Sequence, residues 1–178
     1  MGAFTASGSL FHDGVLLIEY ESLQWNELDF KNHFETILST RKNNDIPINL
    51  IVRGLPGSGK TFLSDFSASS ILRCLSIDID KFRKRGKINL EPRDDGEDLS
   101  IFFQLIDASF FLGINTVISG CFASVENTRY VINPEAENFI MELNIGIDDS
   151  LSNNINEVSK EMIESYASNW ETVAGIKF

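Results

Sequence analysis

The chain has 178 residues, 43% of them hydrophobic, which is the composition of a globular domain with a buried core and not of a disordered chain. Twenty-six acidic and fifteen basic residues give a net charge of −11, so the surface disfavours nucleic acid and anionic membranes outside any local basic patch. Two cysteines, Cys74 and Cys121, are too few for a disulfide framework, and we expect buried free thiols. The N-terminus lacks a signal-peptide pattern and no apolar run reaches membrane-spanning length, so we expect a cytoplasmic protein.

The first predicted elements are a strand over residues 14–20 and a helix over 26–41. A polar break at 41–45 follows, and Pro47 then disfavours helix in the residue before it. We therefore predict a strand-helix extension at residues 1–44 and a main domain at 45–178.

In the main domain, strands alternate with helices. The predicted strands cover residues 48–53, 74–79, 115–120 and 139–143, and the predicted helices cover 61–72, 99–110 and 158–170. This alternation predicts a mainly parallel sheet with helices on both faces, which is a three-layer α/β domain.

A glycine-rich segment lies between the first core strand and its helix. It reads Gly54-Leu55-Pro56-Gly57-Ser58-Gly59-Lys60-Thr61 and satisfies the P-loop pattern G-x-x-x-x-G-K-[ST] in the required strand-loop-helix context. Backbone N–H groups of such a loop converge on a phosphate, and the helix N-terminus adds partial positive charge. The sequence thus predicts a P-loop NTPase fold that binds ATP, or alternatively GTP, with Mg²⁺. The predicted nucleotide-binding residues are Gly54, Pro56, Gly57, Ser58, Gly59, Lys60 and Thr61, with Thr61 also a metal ligand.

Two acidic residues, Asp78 and Asp80, follow the second core strand. Ligands of parallel sheets bind beyond the carboxyl ends of the strands, where the P-loop also lies. In extended chain the two side chains would point the same way, so one could hold Mg²⁺ through water while the other accepts a proton from an attacking hydroxyl. The alternative is a solvated strand end that caps the next turn.

Three segments together resemble the zeta-toxin and polynucleotide-kinase-like P-loop kinases: residues 54–61, Ile77-Asp78-Ile79-Asp80-Lys81-Phe82, and residues 112–120. The resemblance extends over about residues 48–171. It implies transfer of the γ-phosphoryl group of ATP to a hydroxyl of a nucleotide sugar, a polynucleotide 5′ end or a small molecule. It further implies that Asp80 is the general base and that Lys60 and Thr61 contact phosphate and Mg²⁺.

The chain departs from this pattern at two places. Ser119 stands where zeta toxins carry an acidic residue, and residues 145–156, which correspond to the lid, contain no Arg or Lys. Family lids usually supply arginines that neutralise charge on the transferred group. The basic segment 81–87 is the nearest replacement, through Arg83 and Arg85, although it is equally well explained as a solvated loop paired with the acidic residues after it.

The remaining features favour structural roles. Arg53 is expected to be a strand-end charge, Trp170 a packing residue, and the phenylalanine stripe at 102–111 part of the core. Two functions stay open: a kinase acting on a small or nucleotide-like hydroxyl, and a non-catalytic nucleotide-binding module that binds a partner protein. The residues expected to act in catalysis are Asp80, Lys60, Arg83 and Arg85, and those expected to act at the metal are Thr61 and Asp78.

Overall fold

The computed structural model describes residues 9–10, 15–20, 35, 38–39, 45–81, 95–154 and 157–173. Arg83, Arg85 and most of the predicted 26–41 helix lie outside these ranges, in which residues 35, 38 and 39 are helical. The strands are β1 (Ser9–Leu10), β2 (Val15–Tyr20), β3 (Ile48–Gly54), β4 (Cys74–Asp78), β5 (Asn115–Gly120) and β6 (Glu137–Leu143). The helices are α1 (Lys60–Ser70), α2 (Asp95–Phe111), α3 (Val125–Arg129), α4 (Ile147–Ser152) and α5 (Lys160–Ser168).

Within the described residues, one sheet contains the six strands, in the order β1-β2-β6-β3-β5-β4. Every neighbouring pair is parallel except the short β1–β2 hairpin. Each residue of β3 is buried, which matches its nearly continuous apolar sequence and its central position between β5 and β6. The predicted mainly parallel P-loop sheet is therefore confirmed.

Helices cover both faces of the sheet. On one face, Leu63 of α1 packs with Leu50, Val52 and Met141. On the other face, Phe102 and Ile106 of α2 pack with strand residues that include Ile51 and Ile140. Alternation along β3 sends successive side chains to opposite faces, so this strand contributes to both cores and the domain has three layers.

Buried amides fix the register at the amino ends of the central strands. The Asn49 side-chain amide of β3 donates to Asn138 Oδ1 of β6 at 2.7 Å, and Thr116 Oγ1 of β5 donates to Asn49 Oδ1 at 2.8 Å. A slip of one residue in either pairing would leave these buried polar groups unsatisfied. The carboxyl ends of β3, β5 and β6 are thereby held in line at the opposite edge.

Strand β2 comes from the predicted N-terminal extension and joins the main sheet. Its six residues pair in parallel with β6, from Val15 beside Asn138 to Tyr20 beside Leu143. In the described part of the chain, no helix has the length and apolar character needed to cross a membrane.

Candidate nucleotide-binding and phosphotransfer site

The P-loop connects the carboxyl end of β3 to the first turn of α1. Gly57 and Gly59 have φ angles of +77° and +88°, in the left-handed region that glycine adopts without a Cβ penalty. Gly59 is the N-cap of α1, and Lys60 is the first helical residue. The strand-loop-helix context on which the sequence motif depends is present, and the N-terminus of α1 faces the loop.

Two polar side chains of the loop are buried. The Lys60 Nζ donates to Leu55 O at 2.8 Å, an oxygen that also accepts from Ser58 N. Ser58 Oγ is buried and makes no hydrogen bond to the described part of the chain. Buried polar atoms rarely lack a hydrogen-bond partner. A phosphate at the loop would accept a hydrogen bond from Ser58 Oγ and would give the Lys60 ammonium group an anionic partner. The loop therefore fits a nucleotide phosphate.

Thr61 and Asp78, both predicted to act at a metal, are in contact. Thr61 Oγ1 donates to Asp78 Oδ2 at 2.7 Å, and Asp78 Oδ1 accepts from the Asp80 backbone N–H at 2.9 Å. Among the described residues no group of three or more His, Cys, Asp or Glu gathers as a metal cluster. Mg²⁺ held largely by phosphate and water needs only one or two protein oxygens, so a hydroxyl beside a carboxylate fits it.

The backbone at Asp80 differs from the extended conformation expected from sequence. β4 ends at Asp78, and residues 79–81 are helical because the Asp78 carboxylate caps this turn. The premise that Asp78 and Asp80 point the same way is therefore wrong. The capping role that we kept as the alternative for Asp78 does occur, together with its contact to Thr61. Asp80 is half-buried and lies within this turn, two residues after Asp78.

The basic segment 81–87 is described only at its first residue. The Lys81 ammonium group pairs with the Asp65 carboxylate of α1 at 2.6 Å, in an exposed salt bridge. The roles expected for Arg83 and Arg85 stay predictions, since both lie outside the described ranges.

Ser119 lies beside Asp78, one strand nearer the P-loop. The two residues pair in register between β4 and β5, and Ser119 also pairs with Val52 of β3, so its side chain faces α1. It is fully buried, and its hydroxyl makes no hydrogen bond within the described ranges. A hydroxyl thus occupies the position where the family resemblance implies a carboxylate, next to the carboxylate of Asp78.

Residues 145–154 pack against the P-loop through α4. Ser150 is fully buried, and its Oγ donates to Pro56 O at 2.5 Å. A Cβ placed on Gly57 would lie 2.5 Å from Ser150 O and 3.0 Å from the carbonyl carbon of Asn153. The absence of basic residues noted in the sequence therefore applies to a segment in direct contact with the loop. Sequence analysis missed α4, because six residues give little periodicity.

A buried ionic cluster lies directly behind the loop. Arg53, the residue before Gly54, is fully buried 3.6 Å from Glu142 Oε2 and 4.3 Å from the centre of the Trp170 ring. It also donates to the backbone oxygens of Glu171 and Ala123 at 2.8 and 3.3 Å. Burial lowers the pKa of Arg53, while the Glu142 and Glu171 carboxylates act to raise it.

This cluster bears on two sequence interpretations. Arg53 is a charge at the end of β3, as expected, but it is fully buried because Trp170 and Glu142 enclose it. Trp170 packs as expected, and it also makes a hydrogen bond, because its Nε1 donates to Glu142 Oε1 at 3.0 Å. The signal available in the sequence was the pair of opposite charges at the ends of two neighbouring strands, Arg53 and Glu142.

Comparison with solved structures identifies the fold. A chain of the Pnkp1/Rnl/Hen1 RNA repair complex superposes with a TM-score of 0.61 at 15% identity, over 72% of this chain and 45% of that chain. A second structure of the Pnkp1/Rnl/Hen1 complex gives 0.55 at 14% identity, over 78% and 45%. An unliganded sugar kinase from Janibacter sp. HTCC2649 gives 0.50 at 15% identity, over 71% and 79%.

These similarities show that the chain has the three-layer α/β fold of P-loop kinases, as the sequence resemblance implied. The region shared with the RNA repair proteins spans less than half of their matched chains. No family model matches the sequence. No curated protein has significant sequence similarity to it.

Proposed function

We propose that this protein is an ATP- and Mg²⁺-dependent phosphotransferase that moves the γ-phosphoryl group to a hydroxyl of a small or nucleotide-like acceptor. The observation that carries the proposal is the 2.7 Å contact between Thr61 and Asp78 beside the P-loop. It joins a hydroxyl on the phosphate-binding helix to a carboxylate on β4, and Asp80 lies in the turn that this carboxylate caps.

The nucleotide would be held by the residues of the P-loop. Backbone N–H groups of the loop and the Lys60 ammonium group bind its phosphates, and the Ser58 hydroxyl is a further donor in the same loop. Thr61 would ligate Mg²⁺, with Asp78 holding the Thr61 hydroxyl in place and binding metal-coordinated water. When bound, Mg²⁺ offsets the charge of the phosphate oxygens. GTP is the alternative donor.

Asp80 would act as the general base. The acceptor hydroxyl oxygen forms a bond to the γ-phosphorus, the bond from that phosphorus to the β–γ bridging oxygen breaks, and the hydroxyl proton passes to the Asp80 carboxylate. The products are the phosphorylated acceptor and ADP, and the proton is then released to water. Arg83 and Arg85 would neutralise charge on the transferred group, because residues 145–156 contain no Arg or Lys.

The acceptor is proposed by class only. A net charge of −11 disfavours a long nucleic acid and leaves a small molecule or nucleotide as the preferred acceptor. The similar structures include a chain of an RNA repair complex and a sugar kinase, which are consistent with a hydroxyl acceptor. We place this activity in the cytoplasm, in keeping with a chain whose two cysteines are too few for a disulfide framework.

A second function, a non-catalytic nucleotide-binding module that binds a partner protein, is favoured by two observations. Ser119 replaces a carboxylate, and the segment against the loop is acidic, with Asp148 and Asp149 exposed on α4. Neither feature prevents nucleotide binding. The site lacks one carboxylate at Ser119, and the segment against the loop lacks the cationic side chains that would assist transfer.

One experiment separates the two functions. Purified protein is incubated with γ-labelled ATP, Mg²⁺ and pooled nucleosides, nucleotide sugars, sugars and oligonucleotides, and labelled products are counted. We expect a labelled acceptor with the wild type, and a loss of about a hundredfold or more with Asp80→Asn and with Arg83→Ala. If the wild type binds ATP but labels no acceptor, the binding-module function replaces the kinase. Lys60→Ala should abolish both binding and transfer.

A further inference from the structure

Helix α4 and the residue after it contact two adjacent residues of the P-loop, Pro56 and Gly57. One contact is the hydrogen bond from Ser150 Oγ to Pro56 O, and the other is the packing of Gly57 against the backbone of Ser150 and Asn153. Ser150 is fully buried, so its hydroxyl has no access to bulk water as an alternative partner. The contact is therefore specific and not an incidental meeting of two surfaces.

We propose that Ser150 is a positioning residue of the P-loop and that α4 is a fixed support for the loop's phosphate-binding conformation. This inference rests on the proposed function, since it concerns the same nucleotide site. Ser150 does not touch the reacting atoms. It acts through Pro56 and Gly57, the residues at which the loop turns towards the N-terminus of α1.

The backbone conformation of the loop determines whether it can hold a phosphate. The loop binds a phosphate only when several of its N–H groups converge on the same position. A loop makes few internal contacts that would maintain this arrangement. Pro56 contributes no N–H group, and its carbonyl is satisfied by Ser150. Gly57 has a φ of +77° and packs against the backbone of Ser150 and Asn153. Removing the Ser150 hydroxyl would leave a buried carbonyl unpaired at this turn.

The stretch of chain that begins at Ser150 is also attached close to the loop at its far end, near Glu171. After α5, Trp170 packs on the Arg53 guanidinium and Glu171 accepts from it through its backbone oxygen. Arg53 directly precedes Gly54. The chain between Ser150 and Glu171 is thus joined at both ends to residues in or next to the P-loop, as expected of a support and not of a freely hinged lid.

Hydrogen exchange of the nucleotide-free protein tests the support directly. We compare Ser150→Ala with Ser152→Ala, a matched control in the same helix whose hydroxyl is exposed and bonds only to Asp148 O at 2.8 Å. The expected result is exchange at least about tenfold faster at the Ser58 amide, which donates to Leu55 O at 3.2 Å, in Ser150→Ala, with unchanged protection in β3 and β5 and no change in Ser152→Ala. Equal exchange in the two variants, or an increase spread over the whole sheet, would overturn the proposal.

Nucleotide affinity then tests the consequence for function. Titration calorimetry with Mg²⁺-ATP should give a Kd about tenfold or more higher for Ser150→Ala, and a Kd near the wild-type value for Ser152→Ala. A wild-type protein that binds no nucleotide would refute the proposed function, while the exchange experiment would still decide the role of Ser150. A wild type that binds ATP together with an unchanged Kd in Ser150→Ala would refute the positioning role alone.

Discussion

Thr61 and Asp78 meet across 17 positions of sequence, and the Thr61 hydroxyl donates to one carboxylate oxygen of Asp78 while the other oxygen caps the turn that holds Asp80. One carboxylate therefore links the helix that follows the P-loop to the proposed base. The hydroxyl keeps a lone pair for a metal ion while its hydrogen stays with Asp78, so the two residues can act together.

Thr61→Val should remove the part of nucleotide affinity that depends on Mg²⁺. Valine keeps the shape of threonine but has neither the metal-ligating oxygen nor the hydrogen bond to Asp78. We expect the Kd for ATP in Mg²⁺ to rise about tenfold or more, with little change when EDTA removes the metal. Thr61→Ser, which keeps the hydroxyl, is the control. A Thr61→Val protein with an unchanged Mg²⁺ dependence would show that Thr61 is not the ligand.

Gly57→Ala should destabilise the protein more than Gly113→Ala. Both glycines have positive φ, +77° and +63°, so both variants carry the left-handed penalty of about 1–2 kcal/mol. Only at Gly57 would the new Cβ meet backbone atoms, whereas at Gly113 it meets nothing within 4 Å. Urea unfolding should show an additional loss of about 1 kcal/mol or more at Gly57. Equal losses would mean that α4 does not press on the loop.

Arg53→Met should lower the free energy of unfolding by about 3–5 kcal/mol, because Glu142 would remain buried without its cation. The double variant with Glu142→Met should recover part of this loss, since no unpaired charge then remains. Lys81→Met provides the surface comparison, with an expected loss below about 1 kcal/mol from its exposed pair with Asp65. If Arg53→Met costs no more than Lys81→Met, the buried cluster does not stabilise the fold.

The Cys74 thiol should ionise only at high pH in the folded protein. Burial raises its pKa to about 12, above the ordinary value for cysteine. In a Cys121→Ser background, the alkylation rate of Cys74 should rise with pH towards 12 when folded, but reach its plateau above about pH 9 in urea. Because the folded pKa is the higher one, this residue stabilises the fold fully below pH 9 and progressively less above it. Identical pH profiles with and without urea would contradict the burial of Cys74.

Deleting residues 1–44 should make the protein poorly soluble. The deletion removes β1 and β2 and exposes the whole edge of β6, from Asn138 to Leu143. Exposed apolar edge strands recruit other chains, so we expect aggregation in light scattering at micromolar concentration. Deleting residues 1–8 alone leaves both strands and should have no such effect. A soluble, monomeric fragment 45–178 with normal nucleotide affinity would show that the extension is dispensable.

Much of the sheet and the P-loop could be predicted from the sequence because their signals are local. Apolar runs such as residues 50–52 and the glycine pattern at 54–61 specify strand and loop without knowledge of the neighbours. The predicted strands at 74–79 and 139–143 differ from the observed ones by only one or two residues at one end.

The missed features depend on tertiary contacts. The bond from Ser150 to Pro56 joins residues 94 positions apart, and a serine in a polar segment carries no sign of it. The burial of Arg53 follows from Trp170, which lies far along the chain, after α5. The turn at Asp80 was misjudged because the capping carboxylate of Asp78 competes with an extended strand end, which an alternating pattern cannot reveal.

The position of β2 beside β6 determines an order of assembly during synthesis. The two strands pair although they are separated by roughly 120 residues, so β2 leaves the ribosome about 6–24 s before its partner is complete at typical elongation rates. Through that interval Val15-Leu16-Leu17-Ile18-Glu19-Tyr20 is an apolar segment without its partner strand. β3, α1, β4 and β5 can associate earlier, because their pairings span shorter stretches of chain. The P-loop can therefore form on the nascent chain while the far edge of the sheet is still open.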